Sequence, residues 1–203
     1  PGAAVIGPLA DDGRAWWSRY APQRLDFVTP LEGIRARVGD AVEVLHAKGV
    51  AVVDEAYPES DVVRRSPPPA VQQGIDAAVQ VAESADAVVL VLGETDAVCR
   101  ESASRVSLDL PGHQESLLRA VHAVGKPTVL VLSNGRPLSV AWAARNVPAI
   151  LTIWFPGEGG GTALADVLFG DVNPSGRLPI TFPQSVGQIP FTFPAKPGAQ
   201  AKD

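Results

Sequence analysis

Three stretches of the chain, residues 87–92 (AVVLVL), 128–132 (TVLVL) and 149–155 (AILTIWF), are apolar runs with no polar face to leave in water. Strands of that kind must be covered on both sides, which is the situation in a parallel sheet sandwiched between helices. Residues 3–7 (AAVIG) and 41–45 add two shorter strands. Helical signals lie between them. Thr29-Pro30 reads as an N-cap followed by the first helical residue, with Leu31, Ile34 and Val38 on one face. Residues 71–84 read as a helix with Ile75, Val79 and Val81 as buried candidates. Residues 114–124 read as another, with Leu117, Leu118 and Val121 inward. Shorter helices are expected over 138–144 and 162–169. This alternation predicts the α/β class: a three-layer α/β/α sandwich with a mostly parallel central sheet. Residues 87–92, 128–132 and 149–154 are expected to be its central strands.

The pattern gives one domain over residues 1–203, with 170–203 as an extended Pro/Gly-rich tail and an extended piece expected at 178–182. Residues 51–69, ending in Pro67-Pro68-Pro69, read as an exposed connection. A hydrophobic share of 46% is enough for a sizeable core. A net charge of −5 and the lack of a basic stripe argue against a nucleic-acid partner. No apolar run reaches the roughly 18 residues of a membrane span. A single cysteine, Cys99, excludes an intrachain disulfide and a cysteine-based zinc cluster. His46, His113 and His122 are scattered, so no metal and no cofactor is expected. The chain has no Met and no signal peptide, opening on PGAAVIGP already in a strand. A segment of a longer protein is the expectation.

The strand at 87–92 breaks at Gly93-Glu94 into a polar loop holding Glu94, Asp96, Arg100, Glu101 and Arg105. In open α/β sheets chemistry gathers beyond the carboxyl ends of strands, on loops of this kind. Glu101 is the first candidate for acid–base work. The bland reading is a solvated ion-pair surface, because a glutamate serves as a general acid when burial or a neighbouring anion raises its pKa. Glu94, directly after the strand, could instead anchor the loop by pairing with Arg105. Cys99 has no histidine near it in sequence, which argues against a nucleophile.

Two further features carry alternatives. The run WFPGEGGGTALADVLFG places Gly157-x-Gly159 between a strand and a helix. That is a partial dinucleotide fingerprint, with Thr162 at the third glycine position and no acidic strand end about 20 residues on. A tight backbone approach before a helix explains it as well. Trp16, Trp17 and Tyr20 lie in a polar loop, RAWWSRY, where they form either an aromatic platform for a sugar ring or part of the core.

The runs GETDAVCRESASRVSLDLPGHQESLL, GKPTVLVLSNGRPLSV and WFPGEGGGTALADVLFGDVNPSGRLPITFPQSVGQIP together resemble the second, C-terminal α/β sandwich domain of glycoside hydrolase family 3 β-glucosidases. AAVIGPLADD and TPLEGI are similar to the start of that domain in bacterial periplasmic members. The resemblance covers nearly the whole chain. It implies a retaining β-glucosidase whose active site lies between this domain and an N-terminal (β/α)8-type barrel. It implies that the barrel supplies the nucleophilic aspartate and this domain the acid/base glutamate. The position matching that glutamate is Glu101, in CRESASR. The family also sets a tryptophan beside the leaving-group sugar, and Trp17 matches it. A β-glucoside or oligosaccharide substrate and a periplasmic or extracellular location follow from the same resemblance.

The chain departs from the family pattern in lacking the barrel and the fibronectin-like third domain, and in a shorter first loop around Arg14 to Trp17. Two other classes compete with half a glycosidase site. One is a standalone carbohydrate-binding or scaffold module without catalysis. The other is a nucleotide-binding α/β protein using Gly157 to Gly161.

Overall fold

A computed structural model describes residues 1–17, 20, 26–54 and 65–189. Parts of the first loop (18, 19 and 21–25), of the connection expected at 51–69 (55–64) and of the expected tail (190–203) lie outside the described residues. The elements run β1 (Gly2–Ile6), α1 (Pro30–Val38), β2 (Glu43–Ala47), α2 (Pro69–Glu83), β3 (Ala87–Gly93), α3 (Gln114–Ala123), β4 (Thr128–Ser133), α4 (Ala141–Asn146), β5 (Ala149–Thr152) and α5 (Gly160–Leu168). The strands form one sheet in the order β2-β1-β3-β4-β5. Every pairing is parallel.

Alternation along each strand sends side chains to two separate cores. Ala4, Ile6, Leu90, Leu92, Leu130 and Leu132 face one side, under Ile75 and Ala78 of α2 and Leu117, Leu118 and Val121 of α3. Val5, Val91 and Val131 face the other, under Leu31 and Ile34 of α1 and Leu164 and Ala165 of α5. This is the three-layer sandwich that unbroken apolar runs demand. Fully burying each such Leu or Ile contributes roughly 1.5–3 kcal/mol.

Some expectations shift. The third apolar run is not central: β5 lies at the edge of the sheet and its residues are only half-buried or exposed. An apolar run reports that something covers a strand, and here the partial cover of Leu151 and Ile153 comes from the α1/α5 core rather than from a further strand. Strand β2 starts two residues later than expected because residues Gly39–Ala41 form a 3-10 turn. Helix α4 starts at Ala141 because Ser139 is held outside it, its N–H donating to Leu108 O at 2.7 Å. Val79 and Val81 are half-buried, and Ala78 and Ala82 are the buried positions of α2. Residues 178–182 form no strand, although Phe182 packs edge-on to Trp154 at 5.9 Å.

Helix α1 begins as expected. Thr29 Oγ1 accepts from Glu32 N–H, and the Glu32 side chain accepts from Thr29 N–H, a reciprocal cap on the first turn. Its close neighbour is α5, through glycines. A Cβ on Gly161 would sit 2.1 Å from Thr29 O, and one on Gly33 would sit 2.2 Å from Gly161 O. Gly161→Ala is expected to lower stability by about 1–3 kcal/mol, because backbone rather than a flexible side chain stands in the way. Urea unfolding would show a lower midpoint at unchanged m-value. A shift below about 0.5 kcal/mol would mean that the two helices can slide apart freely.

Candidate active site

The strand order creates the site. From β1 the chain passes through α1 on one face of the sheet, and from β3 it passes into α3 on the other. The loops leaving the adjacent carboxyl ends of β1 and β3 therefore depart towards opposite faces, at the kind of switch point where ligands of open α/β sheets bind. Gly93, the last residue of β3, has φ +141°, and a Cβ there would lie 1.8 Å from Ser133 O. Only glycine allows the chain to turn this tightly over β4 as it leaves the sheet. The buried Gln114 amide holds the turn. Its Oε1 accepts from Gly93 N–H at 2.8 Å, and its Nε2 donates to Gly93 O and Val52 O at 2.8 and 2.9 Å. A side-chain amide thus pairs with β3 where β1 has ended.

The next residue, Glu94, is fully buried. Its Oε1 accepts from Arg105 Nη1 at 2.8 Å and lies 3.3 Å from Arg136 Nε. Arg105 also donates to Asp109 O at 2.9 Å, tying down the far end of the loop. The anchoring role open to Glu94 in the sequence is the one it has. Glu101 sits at the exposed tip between these anchors. Ser102, directly after it, adopts a left-handed backbone at φ +60°, so the chain reverses at the tip and presents Glu101 outward.

The loop after β1 meets this tip. Tyr20 Oη donates a hydrogen bond to Glu101 Oε2. The two tryptophans part company. Asp12 caps a short 3-10 turn over Gly13–Trp16, its carboxylate accepting from Ala15 N–H at 3.2 Å. Trp16 ends that turn inside the core, against Phe27, and its Nε1 donates to Ser133 Oγ at 2.9 Å. Trp17 is extended and 39% exposed. One indole is part of the core and the other is partly exposed. Ser133 also donates to Trp154 O at 3.0 Å, so a single hydroxyl links the loops after β1, β4 and β5.

Other candidates recede. Cys99 is half-buried, and its burial, with the nearby Glu94 carboxylate adding, pushes its thiol pKa up against the opposing pull of Arg136. That is the reverse of an activated nucleophile. Part of the glycine run is taken up by packing. Gly161 N–H donates to Val28 O at 2.9 Å and Gly160 N–H to Gly157 O at 3.1 Å, so these donors are used in packing. The histidines stay apart. His46 Nδ1 is 2.8 Å from Val5 O, His113 Nε2 is 3.0 Å from Asp54 Oδ2, and His122 packs on Trp142. Among the described residues no group of three or more His, Cys, Asp or Glu is placed to hold a metal ion. No helix among them is long and apolar enough to cross a membrane. The sequence reasoning missed Gln114, Ser133 and Arg136. A polar residue directly beyond a buried strand end, as in VLSNGRP, was the available signal.

The family described as "Glycosyl hydrolase family 3 C-terminal domain" matches residues 2–202. A periplasmic beta-glucosidase of Salmonella typhimurium is 46% identical over 202 residues, covering 94% of this chain and 26% of that protein. A beta-xylosidase of Formosa agariphila is 38% identical over 203 residues, covering 96% of this chain and 26% of that protein. Among solved structures, a β-glucosidase from Erythrobacter marinus superposes with a TM-score of 0.86 at 37% identity, covering 100% of this chain and 28% of its own. The chain spans about a quarter of the length of the curated relatives it matches.

Proposed function

The chain belongs to glycosyl hydrolase family 3, as its C-terminal domain, and on that premise we propose that it supplies the acid/base carboxylate, Glu101, to the active site of a retaining β-glucosidase completed by the rest of a longer protein. One observation carries the assignment. Of the two glutamates in the loop after β3, Glu94 is sealed and paired with arginines, whereas Glu101 stands exposed at the loop tip, in contact with Tyr20 from the loop after β1. An exposed tip needs a second surface to enclose it, and a barrel domain preceding this one would provide both that surface and the nucleophile.

Retaining hydrolysis needs two carboxyl groups about 5–5.5 Å apart. In the first step the barrel carboxylate attacks the anomeric carbon, and the C–O bond to the leaving group breaks as Glu101 gives that oxygen its proton. In the second, Glu101, now a carboxylate, takes a proton from water. The water oxygen bonds to the anomeric carbon and the barrel carboxylate leaves. Trp17 offers an apolar face for the leaving-group sugar, supported by its partial exposure on a loop that leaves the same end of the parallel sheet as the Glu101 loop. The proposed substrate is a terminal β-D-glucoside, and the proposed location periplasmic or extracellular, following the Salmonella relative.

With half of the carboxylate pair, the isolated chain is expected to show no turnover of an aryl β-glucoside above the buffer rate, while a parent protein containing it turns the substrate over. Rapid hydrolysis by the pure chain, abolished by a substitution within it, would refute the division of labour proposed.

A further inference from the structure

Arg136 follows β4 and reaches into the loop after β3. Its Nη2 donates to Val98 O at 2.8 Å and to Ala103 O at 3.2 Å. Those carbonyls stand on either side of the four-residue tip 99–102, which carries Glu101. The Nε edge of the same guanidinium lies 3.3 Å from Glu94 Oε1. Glu94 in turn is fixed to the sheet, its N–H donating to Ser133 O at 2.8 Å. An unbroken line of contacts therefore runs from the ends of β3 and β4, through Glu94 and Arg136, to both stems of the tip. Arg136 is the half-buried link in that line, with 21% of its side chain exposed, while Arg100, Glu101 and Ser102 beyond it are exposed.

We propose that Arg136 is a positioning residue for the acid/base step, clamping the two stems of the tip so that Glu101 meets the glycosidic oxygen at a fixed place. The inference rests on the assignment of Glu101 made above. The chemistry favours arginine. A planar guanidinium can donate to two carbonyls from one edge and face a carboxylate with another, whereas a lysine ammonium is a single flexible point charge. Protonation of a departing oxygen is sensitive to this placement, because a misplacement of about 1 Å from a change away from the chemistry can cost about 10²-fold.

The test uses the intact parent enzyme and compares kcat/KM for cellobiose and for 2,4-dinitrophenyl β-glucoside. Arg136→Ala is expected to reduce the cellobiose value by about 10²-fold while leaving the dinitrophenyl value near that of the parent, since an activated aryl leaving group departs without a proton. Added guanidinium ion should recover part of the cellobiose rate. Arg136→Lys should fall between the parent and the alanine variant, and carries the test if the alanine variant does not fold. A merely structural role would lower both substrates by the same factor together with Tm, and that result, or an unchanged ratio of the two substrates, overturns the proposal. Glu101→Gln, measured alongside, separates the two levels. If it discriminates between the substrates and the Arg136 variants do not, the clamp alone is wrong. If it does not discriminate, the assignment of Glu101 fails and the clamp falls with it.

Discussion

In an intact protein containing this domain, Glu101→Gln is expected to slow cleavage of cellobiose-like substrates by about 10²- to 10⁴-fold, the usual worth of general acid–base help. The effect should depend on the leaving group. A sugar hydroxyl needs a proton as it departs and an activated phenol does not, so kcat/KM for the activated substrate should hardly change. The second step should slow for both, because the same residue later serves as base towards water. Azide needs no base, so adding it should restore turnover of the activated substrate and yield a β-glycosyl azide, the retained stereochemistry showing that the glycosyl-enzyme was intercepted. Equal losses on good and poor leaving groups, with no azide effect, would mean that the acid/base group lies elsewhere.

The second large effect concerns stability. Glu94→Gln removes the charge from a side chain that is fully buried, and leaves Arg105, whose side chain is 5% exposed, facing a neutral amide. Breaking a buried pair by neutralising one partner typically costs about 3–5 kcal/mol, because the remaining charge is stranded. A domain stable by about 5–15 kcal/mol would lose a large fraction of its margin. Urea unfolding of the chain on its own measures this directly, and the parent carrying Glu94→Gln should show no azide rescue. A loss below about 1 kcal/mol would indicate that Arg105 and Arg136 reach water once the carboxylate is gone.

Much of this architecture is legible in the amino-acid order. Val88 to Leu92 and Leu130 to Leu132 are apolar at every position, and strands covered on both faces are what that composition requires. Leu117, Leu118 and Val121 recur at helical spacing and are all buried. Failures occur where a neighbour decides the outcome. Nothing in AILTIWF tells how many strands lie beyond it in the sheet, so its edge position among the described residues was hidden. Trp16 and Trp17 are chemically the same. Their separation into core and surface depends on a capped turn and on a hydroxyl supplied by Ser133, 117 residues away. Arg136 escaped notice for the same reason. Its partners Val98 and Ala103 are backbone carbonyls of a different loop, which any residue type would provide. The reach of Glu94 to Arg105 could be anticipated because both lie in one short loop.

The glycine contact between α1 and α5 also sets the order in which this domain can be finished on the ribosome. Gly161 is made 128 residues after Gly33, the position it packs against. At synthesis rates of about 5–20 residues per second, that is a wait of roughly 6–26 s. By then β3, β4, α2 and α3, whose side chains build the other core, have all been translated. The opposite face still lacks Leu164 and Ala165, so Leu31 and Ile34 remain without their last cover. A chain ended before Gly161 would therefore leave the α1 side of the sheet without α5 over it.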